Sequence, residues 1–177
     1  MKGNGMTEET KDLKKVTAKL IRQFGEKIIT VEERSGSAIP SVIVDKAKIS
    51  EALFFLKTDP DCAFDMLTDL FGVDNNKEKP RFELIYFLNS IKHKNRLAVK
   101  LGVEEGEAVP TATGIWKAAE WFEREIYDMF GIRFEGHPDL RRILLDDEFE
   151  GHPLRKDYPL EGPDIDKPFA VELSEDK

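Results

Sequence analysis

RFELIYFLNSIKHKNRLAVKLGV, residues 81–103, is the stretch whose reading decides the fold. Arg81 to Ser90 alternates, with Phe82, Leu84, Tyr86 and Leu88 on one face and Glu83, Ile85, Phe87 and Asn89 on the other. Arg96 to Val103 alternates again, with Leu97, Val99, Leu101 and Val103 facing one way. A period of two is the signature of a strand, and the short His93-Lys94-Asn95 connection makes the pair an antiparallel hairpin. Apolar residues on both faces of the first strand predict an interior strand covered twice. The domain's own helices would form one cover and a partner the other.

Working upstream, Ala47 to Lys57 reads as a helix with Ile49, Leu53 and Leu56 at three- and four-residue spacing, stopped at Asp59-Pro60. Lys27–Glu33 and Pro40–Asp45 are β-rich runs joined by the turn-prone Arg34-Ser35-Gly36-Ser37. Thr7 to Phe24 is a first helix, ended by Gly25. Ala63 to Phe71 is ambiguous. Phe64, Leu67 and Leu70-Phe71 have helical spacing, yet the run is short and bounded by turn signals.

Downstream, Ile115 to Phe130 predicts an amphipathic helix. Ile115, Ala119, Phe122, Ile126 and Met129 lie on its apolar face, and Glu120, Glu123, Arg124 and Asp128 on the others. Gly131 follows where a left-handed helix C-cap is cheapest without a Cβ. Ile132 and Phe134 suggest a last short strand. Two matched turns come next, Gly136-His137-Pro138 and Gly151-His152-Pro153, each followed by a leucine and a basic pair: Arg141-Arg142, then Arg155-Lys156. Pro138, Pro153, Pro159, Pro163 and Pro168 exclude one continuous helix or sheet strand. Leu140, Ile143, Leu144, Leu154, Tyr158, Leu160, Phe169 and Val171 are too many apolar residues for a disordered tail. The chain therefore divides into an α+β core over 1–135 and an extended arm over 136–177 laid on another surface. Its sheet is mixed and antiparallel-rich, with helices mainly on one face.

Composition narrows the function. A chain of 177 residues holds one domain with a sizeable core. A net charge of −8 disfavours a nucleic-acid surface and leaves no polybasic membrane patch. A single cysteine, Cys62, reads as a small semi-buried residue and is too few for an iron–sulfur cluster, a structural zinc site or a disulfide framework. It fits a reducing compartment. No apolar run approaches the length of a bilayer span, and the N-terminus has no apolar secretory region, so the chain reads as cytoplasmic. Leu101-Gly102-Val103-Glu104-Glu105-Gly106 is too acidic for a phosphate-binding loop and no helix follows it.

Several side chains invite chemistry. His137 and His152 lack a second His or Cys at ligand spacing, so the rigid-turn reading is preferred to metal ligation. Glu123, Glu125 and Asp128 could do acid–base work, and a free-standing enzyme built on Glu123, Asp128 and His137 is one alternative. With Arg124 among them, and Arg133, Arg141 and Arg142 soon after, a charge network within the fold or across a subunit boundary is favoured. Trp116 and Trp121 could stack on a flavin but share a helix with an apolar stripe, which favours packing.

Glu123-Arg124-Glu125, Tyr127 to Ile132, Phe134, Gly136-His137-Pro138, Leu140, Arg142-Ile143-Leu144 and Pro153-Leu154-Arg155-Lys156-Asp157-Tyr158-Pro159 together resemble the signature of the 30 kDa subunit family of respiratory complex I, the bacterial NADH:quinone oxidoreductase. The resemblance implies a strand over Ala63–Phe71. It also implies a peripheral-arm subunit on the cytoplasmic side of the membrane, touching the membrane only through the complex. Such a subunit has no active site of its own and braces the 49 kDa-like large subunit near the quinone site. NADH, FMN, iron–sulfur clusters and quinone would then be held by partner subunits. Related subunits serve membrane-bound hydrogenases and other ferredoxin- or quinone-linked complexes, which is the second alternative. On this reading the arm is ordered by its partner. Arg141, Arg142, Arg155 and Lys156 would meet carboxylates of the large subunit, and Leu154, Tyr158 and Phe169 would act as apolar anchors.

Overall fold

The computed structural model describes residues 8–32, 39–76 and 78–159. The turn Arg34–Ser37 and the arm residues from Leu160 on, Phe169 and Val171 included, lie outside them. In chain order the elements are α1 (Glu8–Phe24), β1 (Ile29–Glu32), β2 (Ser41–Val44), a 3-10 turn (Lys46–Lys48), α2 (Ile49–Thr58), β3 (Met66–Asp74), β4 (Phe82–Ser90), β5 (Asn95–Val103), β6 (Ala108–Pro110), α3 (Ala119–Phe130) and β7 (Arg133–Glu135).

The hairpin holds as read: β4 pairs antiparallel with β5 from Phe82↔Val103 to Ser90↔Asn95. Around it the sheet runs β1-β2-β5-β4-β3, with one parallel pair, β2 with β5, among antiparallel ones. A second, two-stranded sheet joins β6 and β7 in parallel. β7 answers the short strand expected at Ile132 and Phe134, whereas its partner β6 is too short to show a period in the sequence.

Ala63–Phe71 shows how a strand imitates a helix. The strand β3 carries a bulge at Thr68, between Leu67↔Leu88 and Asp69↔Phe87. The extra residue returns Leu67 and Leu70 to the same buried face at a spacing of three, which an unbroken strand cannot do.

Gly25, with φ +88°, ends α1 and donates its N–H to Ile21 O at 2.7 Å. At the end of α2, Asp59 turns extended before Pro60 and its carboxylate receives Lys19 at 2.8 Å, tying α1 to α2. Val16 and Leu20 of α1, Leu53 and Leu56 of α2, and Met129 and Phe130 of α3 join one core with Val42, Val99, Tyr86 and Leu84. Those strand residues share one sheet face by register. Cys62 is fully buried there, and burial, then Asp59, pushes its thiol up to about 12, so it is an inert core residue.

The second cover expected over β4 is not provided by the described residues. On the opposite face Ile43, Met66 and Phe71 stay exposed. Phe71 stacks on Phe87 with ring centroids 5.5 Å apart, and Ile85 and Ala98 are sheltered among neighbours on the same face. β4 is interior because it pairs on both edges.

Candidate functional site

The dense stretch after residue 110 wraps one helix. α3 starts at Ala119, four residues later than the periodicity suggested, because the residues before it are held elsewhere. The Trp116 indole donates to Phe64 O at 3.1 Å, and Lys57 Nζ takes the Ile115 carbonyl that a longer helix would use. Trp116 is buried, while Trp121 is 59% exposed, so only the first of the two tryptophans is a core residue.

Glu123 and Asp128, expected on the outer faces of the helix, are both fully buried. Glu123 is not part of a charge network. Its carboxyl oxygens meet Thr111 Oγ1 at 2.5 Å and the Ala112 N–H at 2.6 Å, and no cation pairs with it among the described residues. Burial, with only those neutral donors to offset it, pushes the carboxyl up to about 7.

Asp128 is the opposite case. Its Oδ1 receives Arg142 Nη1 at 2.6 Å, and its Oδ2 receives the backbone N–H of Ile143, Leu144 and Leu145 at 3.1, 2.8 and 3.0 Å. Burial alone would raise this carboxyl. The Leu145 amide, Arg142 and the two other amides outweigh burial and hold it below its usual value. A carboxylate held this firmly in its charged form is a weak base for taking a proton from a substrate.

Both Gly-His-Pro turns are fastened to α3 by their histidines. His137 accepts the Asp139 N–H at Nδ1, so Nε2 carries the hydrogen and donates to Glu120 O at 3.1 Å. His152 Nδ1 lies 2.9 Å from Asp128 O, near the C-terminal end of the same helix. The glycines of these turns have φ of +81° at Gly136 and +90° at Gly151. Gly131, with φ +76°, is the left-handed cap that the sequence suggested, and a Cβ there would stand 2.6 Å from the His152 ring. Pro138 is exposed behind its histidine. Both His137 nitrogens are engaged, and no group of three or more His, Cys, Asp or Glu among the described residues is placed to hold a metal.

These contacts make residues 136–159 a strap on their own domain, where a partner-ordered arm was expected. Leu154 N–H donates to Met129 O at 3.1 Å. Arg142 also reaches Phe149 O and Gly151 O, at 2.7 and 2.9 Å. At the far end Arg81 holds Asp74 at 3.1 Å, Glu105 at 2.8 Å and Asp157 at 2.8 Å, while the Lys156 N–H caps Asp74 at 2.8 Å. Arg155 pairs with Glu105 and Asp157, and Tyr158 stacks on Phe149. Arg81 and then Arg155 hold the Asp157 carboxyl well below the usual range. Arg142 and Arg155 are thus satisfied inside the chain. Arg141 is exposed and pairs with Asp139, the Lys156 side chain is exposed, and Glu125 faces outward.

Arg124 caps the carbonyls of Arg141 and Arg142 at 3.2 and 2.8 Å and lies 5.4 Å from the Trp121 ring centre. On the strap, Leu144 and Leu154 are 62% and 53% exposed. Among the described residues the arrangement brings no nucleophile to a base. It assembles instead an exposed aromatic, arginines and leucines on a scaffold fixed from below. Sequence reasoning missed Thr111, Asp74, Arg81 and Glu105, which lie far in sequence from the groups they hold.

The profile of the family described as "Respiratory-chain NADH dehydrogenase, 30 Kd subunit" matches residues 42–164. The NADH-quinone oxidoreductase C-subunit of Trichlorobacter lovleyi is 47% identical over 165 residues, 92% of this chain and 99% of that one. Its counterpart in Paramagnetospirillum magneticum is 45% identical, covering 89% and 77%. Among solved structures, a trypsin-resistant fragment (1-134) of Nqo5 superposes with a TM-score of 0.62 at 29% identity, over 73% of this chain and 99% of the fragment. A chain of an archaeal membrane-bound sulfane sulfur reductase shares the fold, with a TM-score of 0.71 at 24% identity over 93% and 96%. The chain belongs to the family of 30 kDa subunits of respiratory-chain NADH dehydrogenases.

Proposed function

We propose that this chain is a non-catalytic peripheral-arm subunit of a proton-translocating NADH:quinone oxidoreductase, and that it braces the 49 kDa-like large subunit near the quinone site on the cytoplasmic side of the membrane. On this reading NADH, FMN, iron–sulfur clusters and quinone belong to partner subunits. Identities of 45–47% to proteins named as NADH-quinone oxidoreductase C-subunits favour this complex over related membrane complexes. The observation that carries the bracing role is the surface of α3 and the strap. Trp121, Leu144 and Leu154 are exposed large apolar side chains, and Arg124 lies against Trp121. Tryptophan and arginine are the residue types most enriched at interface hot spots, and rigid anchors lose little entropy on docking.

Co-expression of the full chain with the large subunit tests this. The wild-type chain should co-purify with it. Trp121→Asp should cut recovery by about tenfold or more, consistent with losing a hot spot of roughly 2 kcal/mol, while the variant melts like wild type. A wild-type chain that purifies alone, with stoichiometric flavin or iron, would overturn the proposal.

A further inference from the structure

Glu123 is a buried titratable group that the docking role does not use. It is 0% exposed, sits on α3, and faces only neutral donors. From β4 the buried hydroxyl of Tyr86 has no hydrogen-bond partner among the described residues. Burial first, and then the nearby Glu123, raises the Tyr86 phenol, so it stays protonated. From the segment after β6 come Thr111 and Thr113, which do not titrate, and the Ala112 amide. On α3 itself Arg124 is turned toward the strap, where its guanidinium donates to the carbonyls of Arg141 and Arg142, and the Glu120 backbone carbonyl is taken by His137.

A buried carboxyl without a cation is costly when charged, and buried polar groups need partners in whichever form they adopt. Here both forms are satisfied. Thr111 Oγ1 lies 2.5 Å from Glu123 Oε2 and 3.0 Å from Thr113 Oγ1, and it accepts the Thr113 N–H at 3.2 Å. With Glu123 protonated, its O–H donates to Thr111, which donates to Thr113. With Glu123 ionised, the directions reverse: Thr113 donates to Thr111 and Thr111 to the carboxylate. The Ala112 N–H serves Oε1 in both states. Thr113 is only half-buried, so this hydroxyl pair joins the buried carboxyl to the surface.

We propose that Glu123 is a buried proton-binding site that exchanges with solvent through Thr111 and Thr113. The proton leaves by a concerted shift. The Glu123 O–H passes its proton to Thr111 Oγ, Thr111 passes its own to Thr113 Oγ, and Thr113 releases one to water, leaving a carboxylate and both hydroxyls restored. The site stands on this geometry and does not depend on the docking role.

The test uses the full chain labelled with carbon-13 at the glutamate side-chain carboxyl, followed by NMR across pH. One glutamate should titrate with a midpoint of about 7, and Glu123→Gln should remove that resonance. Thr113→Ala should keep the midpoint but slow hydrogen–deuterium exchange of the acid severalfold. Because the first measurement is made on the wild-type chain, it stands even if Glu123→Gln fails to fold. If every glutamate titrates in the ordinary range, the site is refuted. If Thr113→Ala exchanges at the wild-type rate, the route is refuted.

Discussion

Asp128 holds Arg142 at 2.6 Å, and the same carboxylate gathers three successive backbone amides of the strap. One buried acid therefore fixes both the side chain and the backbone of a segment that has no periodic structure of its own. Removing its charge leaves Arg142 without its carboxylate, and breaking one side of a buried pair costs about 3–5 kcal/mol. Asp128→Asn should lower stability by an amount of that order, which chemical denaturation would measure. A change below about 1 kcal/mol would mean that the strap is held mainly by its other contacts.

The Asp128 carboxyl is held below its usual value in the folded state, so its contribution is present above the unfolded value near 3.8 and is lost as pH falls through the lower folded one. Wild type should lose more stability than Asp128→Asn on acidification below about pH 4. Parallel acid denaturation curves for the two proteins would contradict this.

Glu123 has the opposite sign. Its folded value of about 7 lies above the ordinary 4.5, so the folded chain keeps a proton that the unfolded chain releases. The stabilisation is full below the unfolded value, falls between the two, and is gone above the folded one, a span of about 3 kcal/mol. Glu123→Gln keeps the acceptor for the Ala112 N–H and should flatten the stability profile across that window. An unchanged slope would show that Glu123 is ionised throughout.

Gly131→Val should cost at least about 2 kcal/mol. A β-branched residue is strained at φ +76°, and its Cβ would push into the His152 ring. Thermal melting would show this, and Gly131→Ala should be affected less than valine but still destabilised. A melting temperature equal to wild type would place the chain in a different backbone conformation there.

Trp116→Phe removes the indole donor and leaves the Phe64 carbonyl buried without it. A loss of about 1–3 kcal/mol is expected, larger than for Trp121→Phe, whose ring is exposed. Equal melting temperatures for the two variants would contradict the different roles of these tryptophans.

The sequence made most of the architecture legible because strand alternation and helix periodicity are local. The β4–β5 hairpin, the Gly131 cap and the glycine–histidine–proline turns could all be read from neighbouring residues. What escaped depends on distant partners. Thr68 disguised β3 as helical by inserting a bulge, and Lys57 and Phe64 shortened α3 from across the core. Glu123 and Asp128 sit five residues apart on one helix and look alike in sequence. Thr111 and Ala112 leave one without a cation, and Arg142 with three amides surrounds the other with donors. The strap looked like an arm laid on a partner because its prolines forbid regular structure, while the residues that secure its far end, Asp74 and Arg81, lie about eighty positions upstream.

Amide hydrogen exchange at Ile143, Leu144 and Leu145 of the isolated full chain tests most directly whether the docking surface is built before any partner arrives. Strong protection of all three amides in the wild-type chain, and its loss in Asp128→Asn, is the predicted result. Rapid exchange at these amides in the wild-type chain, with protection appearing only in complex with the large subunit, would show that the partner orders the strap and would contradict a preformed surface.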